Sequence, residues 1–115
     1  MKDLEEIRVK VAEFAAERDW EKFHSPKNLA MALSVEVAEL VETFQWLTEA
    51  ESSSLSKQQL MAVSHEVADV QVYLVRLADK LGIDILDSVE EKMRLNADKY
   101  PAFLVHGSAK KYTEY

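Results

Sequence analysis

The chain has 115 residues, of which 48% are apolar and 30% charged, and its formal net charge is −7. This length predicts a single domain, and the negative charge argues against general binding to nucleic-acid backbones or anionic membranes. The absence of cysteine excludes disulfide, zinc–thiolate and cysteine-nucleophile chemistry. No apolar run is long enough for a membrane span or a signal peptide, so a cytoplasmic location is expected. Only two glycines and two prolines favour a mostly helical protein.

The first half of the chain predicts two helices. The first covers about Lys2 to Arg18, and a connection over residues 20–25 follows it. Ser25 followed by Pro26 predicts the start of the second helix, because a hydroxyl caps the end and proline favours the first helical position. We expect this helix to reach about Leu47, with a polar loop at residues 52–54. The apolar face of the first helix consists of Leu4, Ile7, Val11 and Phe14.

The third predicted helix is the longest element of the chain. Ser56-x-x-Gln59 has the pattern of a capping box, in which two side chains satisfy backbone N–H groups at the helix start. The helix is expected to continue to Leu81, where Gly82 supplies a stop. Three of its apolar residues lie outside the main stripe and can contact either another subunit or the chain's own tail: Met61, Val72 and Val75.

The fourth predicted helix begins after the cap residue Asp84 and ends near Asp98. Its inward-facing residues are expected to be Leu86, Val89 and Met93. Residues 101–115 are expected to form a C-terminal tail of the single domain, which covers residues 1–115. Four helices with short connections predict an all-α four-helix bundle, which we expect to assemble as a homodimer or as a homotetramer that is a dimer of dimers.

Two of these helices carry the same arrangement of carboxylates beside an apolar stripe. The second helix contains Glu36-x-x-Glu39 and the third contains Glu66-x-x-Asp69. On a helical wheel of about 100° per residue, Glu36 and Glu66 border their stripes, and the second acid of each pair lies about 60° to the polar side. Other acidic pairs with this spacing exist, but these two wheels superimpose. The stripes are Leu29, Leu33, Val37, Leu40 and Phe44, and Val63, Val67, Val70, Leu74 and Leu77.

Carboxylates directed into a helix interface lose hydration and repel one another, so they must be protonated, paired with bases or bound to a cation. A site built only from carboxylate oxygens suits Mg²⁺ or Mn²⁺. Two interpretations remain open from the residues alone. The four acids either line one metal-binding seam or lie at two solvated helix edges.

Further motifs strengthen the first interpretation when they are taken together with the acidic pairs. The motifs are Arg18-Asp19-Trp20, Phe23-His24-Ser25-Pro26-Lys27-Asn28-Leu29, Phe44-Gln45-Trp46, Tyr73 after the second acidic pair, Lys92-x-x-x-Asn96 and Lys99-Tyr100-Pro101. With these motifs the chain resembles the MazG-like all-α nucleoside triphosphate pyrophosphohydrolases, and within them the dCTP pyrophosphatase branch. The resemblance covers nearly the whole chain.

The resemblance implies Mg²⁺-dependent hydrolysis of a nucleoside triphosphate to a monophosphate and pyrophosphate, with Mn²⁺ as a possible substitute. Glu36, Glu39, Glu66 and Asp69 would be the metal ligands, one of them alternatively orienting the attacking water. The implied substrate is dCTP or a 5-substituted dCTP, although a broad deoxynucleoside triphosphate pyrophosphatase stays open. The biological purpose implied is removal of unwanted nucleotides from the pool.

Candidate substrate-binding residues lie on three predicted helices and on the connection between the first two. Tyr73 follows Asp69 by four residues, so its hydroxyl can reach a phosphate or a ligand carboxylate. Lys92, Asn96 and Lys99 share one face of the fourth helix and can donate hydrogen bonds to phosphate oxygens. Flat bases stack on aromatic rings, and Asn28 can contact the base or the sugar. The expected aromatic group is Trp20, Phe23, His24 and Trp46.

Two competing hypotheses make different demands on the sequence. A di-iron or di-manganese four-helix protein needs Glu-x-x-His motifs on two helices, but only Glu21-x-x-His24 occurs, and it lies in a connection. A helical interaction module, in which the acidic face binds a basic partner, requires neither metal nor nucleotide. The tail over residues 110–114 resembles the ending of dCTP pyrophosphatases and is expected either to fold over substrate or to be disordered.

Overall fold

The computed structural model describes residues 1–109, and these residues form helices and no strand. The elements are α1 (Leu4–Glu17), a 3₁₀ turn (Glu21–Phe23), α2 (Pro26–Glu42), α3 (Glu49–Ser52), α4 (Lys57–Leu81), α5 (Ile85–Lys99) and α6 (Ala102–Val105). The predicted all-α class is confirmed. The four predicted helices correspond to α1, α2, α4 and α5, whereas the four-residue helices α3 and α6 were not predicted. Among residues 1–109, no helix combines the length and the apolar character needed to cross a membrane.

The chain divides into two compact units, the first over Met1–Gly82 and the second from Ile83 onward. In the first unit α4 packs against α2 and, less extensively, against α1. Its buried apolar side chains are Ala15, Leu29, Val75 and Ala78. Val75 was predicted as a contact with a subunit or the tail, but it belongs to this core and is only 3% exposed.

Most of the predicted helices begin where the sequence indicates, because side-chain caps form at those residues. Ser25 accepts a hydrogen bond from the backbone of Asn28 at the start of α2, and Ser56 and Gln59 form the predicted capping box of α4. Gly82 ends α4 with φ of 67°, a left-handed conformation that glycine adopts without a steric penalty. The bounds of α4 therefore agree with the prediction.

The second helix is shorter than predicted, because it ends at Glu42 and not at Leu47. The hydroxyl of Thr43 donates a hydrogen bond of 2.6 Å to the carbonyl of Leu40. The backbone N–H groups of residues 43–45 bond three residues back, so the α-helical pattern gives way to tight turns. Thr48 and Glu51 then form a second capping box, which starts α3 at Glu49, and only the last residue of α3, Ser52, falls in the stretch where a polar loop was predicted.

Several apolar residues predicted to face inward are exposed. On α2 and α4 these are Val37 at 42%, Val67 at 52% and Leu74 at 39%. On α5 the predicted inward residues Leu86, Val89 and Met93 are all more than half exposed. A single 15-residue helix cannot cover its own apolar stripe, which explains the exposure of α5 residues within the second unit.

Candidate active site

The packing of α4 against α2 brings three of the four predicted acidic residues together. One carboxylate oxygen from each of Glu36, Glu39 and Glu66 lies within 4.8 Å of the other two, and all three side chains are partly buried. Oxygen ligands lie roughly 2.0–2.6 Å from Mg²⁺ or Ca²⁺, so two ligands of one ion can be up to about 5 Å apart. The three oxygens are therefore close enough to share one divalent cation.

Two of these carboxylates have an oxygen that is buried without a partner. Glu36 Oε2 and Glu66 Oε2 are both shielded from solvent, and neither forms a hydrogen bond with any residue that the structure describes. Burial raises the pKa of Glu36, and the neighbouring carboxyl of Glu39 raises it further. Burial is also the largest cause of the raised pKa of Glu66, followed by the charge of Glu39.

This acidic cluster fits a hard divalent cation. A buried anionic oxygen without a donor is costly, and a cation removes the cost by coordinating the oxygen and offsetting the repulsion. All donors are carboxylate oxygens, a set typical of Mg²⁺ or Mn²⁺ and not of zinc or iron sites rich in nitrogen and sulfur. The role of these residues as ligands remains a prediction that the donor chemistry supports.

Asp69, the fourth predicted ligand, lies apart from the three-oxygen set. Its side chain is exposed, yet its negative charge contributes to the raised pKa of both Glu36 and Glu66. Glu42, whose side chain is also exposed, contributes the smallest of the causes that raise the pKa of Glu66. The negative field at the cluster thus comes from more carboxylates than the three that can share one ion.

A cavity of about 600 Å³ adjoins the acidic residues within the first unit. Glu36 and Asp69 contribute carboxylates to its wall, and apolar and aromatic side chains form most of the rest. Its volume falls in the usual range for small-molecule sites. The lining residues are Met1, Lys10, Val11, Phe14, Ala15, Trp20, His24, Glu36, Asp69, Val72, Tyr73 and Arg76.

The aromatic wall of the cavity forms where α1 ends. Asp19 adopts a left-handed conformation with φ of 55°, and the N–H of Trp20 donates a 2.9 Å hydrogen bond back to the carbonyl of Ala15. This turn places the Trp20 ring edge-on to Phe14, with 5.7 Å between ring centroids. The Trp20 and His24 rings are 6.5 Å apart, also edge-on. The cavity thus joins acidic groups to a wall suited to a flat base.

The remaining predicted substrate residues belong to other segments of the chain. Asn28 donates from its side-chain amide to the carbonyl of Phe23 at 3.1 Å, so it holds the connection before α2 and does not line the cavity. Trp46 follows α2 and is 85% exposed. Lys92, Asn96 and Lys99 lie on α5 in the second unit. The expected contacts of these residues with substrate remain predictions, and the predicted tail over residues 110–114 lies outside the described residues.

Sequence reasoning did not predict the contribution of Arg76 or Lys10 to the cavity. Arg76 is 3% exposed and lines the cavity three residues after Tyr73. Helical spacing carries a signal for it, because positions 66, 69, 73 and 76 follow one another at intervals of three and four. Lys10 lies four residues before Phe14 on α1, so the two side chains share one face of that helix.

A model of the MazG-like family matches residues 31–115. The chain belongs to the MazG-like family. Its relatives include dCTP pyrophosphatase 1 from Homo sapiens, to which it is 49% identical over 113 residues, and dCTP pyrophosphatase 1 from Mus musculus, at 47% over the same number of residues. Both alignments cover 96% of this chain and 66% of the relative, so the chain spans slightly less than two thirds of their length.

A solved structure of another protein matches the fold of this MazG-like chain. It is a pyrophosphatase from Archaeoglobus fulgidus, with a TM-score of 0.80 and 42% sequence identity. The superposition covers 84% of this chain and 91% of the other. The acidic cluster lies wholly within the segment that the MazG-like family model matches, whereas α1 and the 3₁₀ turn precede it.

Proposed function

We propose that this protein is a pyrophosphohydrolase that converts a deoxynucleoside triphosphate and water to the nucleoside monophosphate and pyrophosphate. The preferred substrate is dCTP or a 5-substituted dCTP, by analogy with the named activity of the dCTP pyrophosphatase relatives. The activity requires Mg²⁺, for which Mn²⁺ can substitute. Its purpose is the removal of unwanted nucleotides from the pool.

The observation that carries this proposal is the pair of buried carboxylate oxygens on Glu36 and Glu66. Neither has a hydrogen-bond donor within residues 1–109, and Glu39 adds a third oxygen to the same cluster. When these groups are ionised, a helix interface that retains them is stabilised by a cation that coordinates their oxygens. A helical interaction module gains nothing from this arrangement, because burying carboxylates without partners only destabilises its fold.

Catalysis would divide between the acidic cluster and the cavity wall. Bound Mg²⁺ supplies neutralisation of the triphosphate charge and polarisation of the α-phosphoryl group. Glu36, Glu39 and Glu66 would hold the cation at the interface of α2 and α4. Asp69 lies outside that set but lines the same cavity as Glu36, which suits it to complete the coordination or to orient the water that attacks the α-phosphorus.

Base binding would fall to the aromatic part of the cavity. Phe14, Trp20 and Tyr73 present rings that can contact a flat base, and the edge-on packing of Phe14 against Trp20 holds two of them in place. The base would lie on this wall while the phosphates reach the carboxylates. Both ends of one nucleotide are thus bound by residues of the first unit.

Product analysis tests the reaction. The protein is incubated with Mg²⁺ and, separately, with dCTP, 5-methyl-dCTP, dATP, dGTP, dTTP, dUTP and CTP, and the products are separated by ion-exchange chromatography. We expect monophosphate and pyrophosphate, with the cytosine deoxynucleotides turned over most efficiently. Diphosphate and phosphate would contradict attack at the α-phosphorus, and no turnover with any nucleotide would favour the interaction module.

We also propose that the first unit associates with a second copy of the chain. Large apolar side chains are exposed on both α2 and α4, including Met31 at 60%, Val41 at 59% and Met61 at 59%. Exposed apolar residues on two packed helices are typical of a surface that a subunit covers. Sedimentation at micromolar concentration is expected to give a dimer or a tetramer, and a monomer throughout would contradict the proposal.

A further inference from the structure

Arg76 is a buried charge in the wall of the cavity. It lies on α4 beside Tyr73 and is only 3% exposed, although most arginine side chains remain in contact with water. Burying a guanidinium is costly unless charged or polar partners satisfy its donors. The partners of Arg76 therefore indicate what this position does.

Three residues accept hydrogen bonds from the Arg76 guanidinium. Nη2 donates to Glu21 Oε1, Nη1 donates to Asp79 Oδ2 at 3.4 Å, and Nε donates to His24 Nδ1 at 3.2 Å. Glu21 and His24 belong to the connection between α1 and α2, at the first residue and just after the last residue of the 3₁₀ turn. One side chain of α4 thus holds both ends of this turn.

Two further ion pairs support the same contact. Lys80 donates to Glu21 Oε2 at 2.7 Å, and Arg8 of α1 donates to Asp79 Oδ1 at 3.2 Å. Hydrogen bonds from Lys80 and Arg76 lower the pKa of Glu21 to about 2, so Glu21 is ionised at neutral pH. The network ties α1 and the 3₁₀ turn to the cavity side of α4.

The hydrogen bond from Arg76 also determines which nitrogen of His24 carries the proton. Guanidinium nitrogens only donate, so His24 Nδ1 must accept, and the proton of the neutral ring must then reside on Nε2. Burial lowers the pKa of His24, and the positive charge of Arg76 lowers it further. The charge of Lys80 also lowers the pKa of His24, whereas the charge of Glu21 raises it. Lys10 of α1 is a further charged residue that lines the same cavity.

We propose that Arg76 is a positioning residue for base recognition, holding His24 so that its Nε2–H is offered to a hydrogen-bond acceptor on the base. Cytosine presents adjacent acceptors at N3 and O2, whereas thymine and uracil carry a donor at N3. A fixed donor that meets the base at N3 therefore favours cytosine over thymine and uracil, which present an N–H at that position. This inference rests on the proposed function, because it deepens the recognition step of the same site.

The first test measures the His24 ring directly. ¹⁵N-edited NMR spectra of the full chain at pH 7 are expected to give a protonated Nε2 and an unprotonated Nδ1. In Arg76→Met the His24 nitrogens are expected to show averaged tautomers and to titrate at a higher pH than in the wild type. A wild-type ring protonated on Nδ1, or a His24 signal unchanged by Arg76→Met, overturns the proposal.

The second test separates binding from turnover. Arg76→Met and Arg76→Lys are both expected to raise the KM for dCTP about tenfold with a much smaller change in kcat, because each loses the Nε donor. Arg76→Lys retains the positive charge, so it decides the question if Arg76→Met fails to fold. Lys57→Met, at the exposed start of the same helix, is the matched control and is expected to leave KM unchanged.

Substitution of His24 tests the donor itself. The amide nitrogen of glutamine can occupy the position of Nε2, whereas that of asparagine lies nearer to Nδ1, so His24→Gln is expected to lose less dCTP affinity than His24→Asn. Equal losses in the two variants, or an unchanged KM in both Arg76 variants, would overturn the proposal while the wild type still hydrolyses dCTP. If the proposed function itself fails, the wild type releases no monophosphate and pyrophosphate from dCTP.

Discussion

Glu36→Gln is expected to reduce pyrophosphate release about a thousandfold and to leave the helical content unchanged. Glu36 contributes one of the three clustered oxygens, and its Oε2 is buried without a partner among the described residues. Glutamine preserves the volume but removes the negative charge that a cation needs. Steady-state rates at saturating Mg²⁺ and dCTP, together with circular dichroism, measure the two effects separately.

The matched control for this variant is Glu42→Gln on the same helix. Glu42 is exposed and lies outside the three-oxygen cluster, so its variant is expected to retain a rate close to that of the wild type. Equal losses in both variants would point to a general effect of charge near α2 and not to coordination by Glu36. Full activity in Glu36→Gln would refute the proposed metal site.

Without divalent metal, the acidic cluster is expected to destabilise the folded protein increasingly as the pH rises above 4.5. The pKa of Glu36 and of Glu66 is raised from that value in the folded state, chiefly by burial. Between pH 4.5 and the raised pKa values, the folded chain holds protons that the unfolded chain has already released, so raising the pH favours unfolding. The contribution becomes constant once the pH exceeds both raised values.

Thermal melts across pH test this expectation. The melting temperature of Glu36→Gln minus that of the wild type should become more positive as the pH rises through this window, because the variant lacks the destabilising carboxylate of Glu36. Subtracting the two values cancels the effects of carboxylates that both chains share. Saturating Mg²⁺ at pH 8 should raise the wild-type melting temperature by roughly 10 °C, and sodium chloride of equal ionic strength should not. A wild-type response matched by Glu36→Gln would mean that the cation binds elsewhere.

The helix starts and the acidic cluster were predictable because both depend on local spacing. Ser25, Ser56 and Asp84 each cap a helix through a hydrogen bond three residues ahead, a distance that the sequence displays directly. The positions of Glu36 and Glu66 beside their apolar stripes likewise follow from the helical period. Packing of α4 against α2 then brings their carboxylates together.

The sequence did not predict where α2 ends or which distant segments of the chain contact one another. α2 ends at Glu42, where the backbone N–H groups of residues 43–45 bond three residues back, a change that hydrophobic periodicity does not register. The role of Arg76 requires that residues 21 and 24 meet residue 76, a separation of more than 50 positions. Helical spacing predicts that Arg76 lies on the same face of α4 as Tyr73, but it does not indicate which residues Arg76 contacts.

The two walls of the cavity lie in different parts of the sequence. Glu36, Asp69 and Tyr73 fall within the segment matched by the family model, whereas Phe14 and Trp20 precede it. Phe14 and Trp20 can therefore be exchanged without altering Glu36 or Asp69, whereas Tyr73 and Arg76 remain with the matched segment. Exchange of residues 1–30 between members of the family is expected to transfer a preference for one nucleobase to another enzyme while its phosphate chemistry is retained.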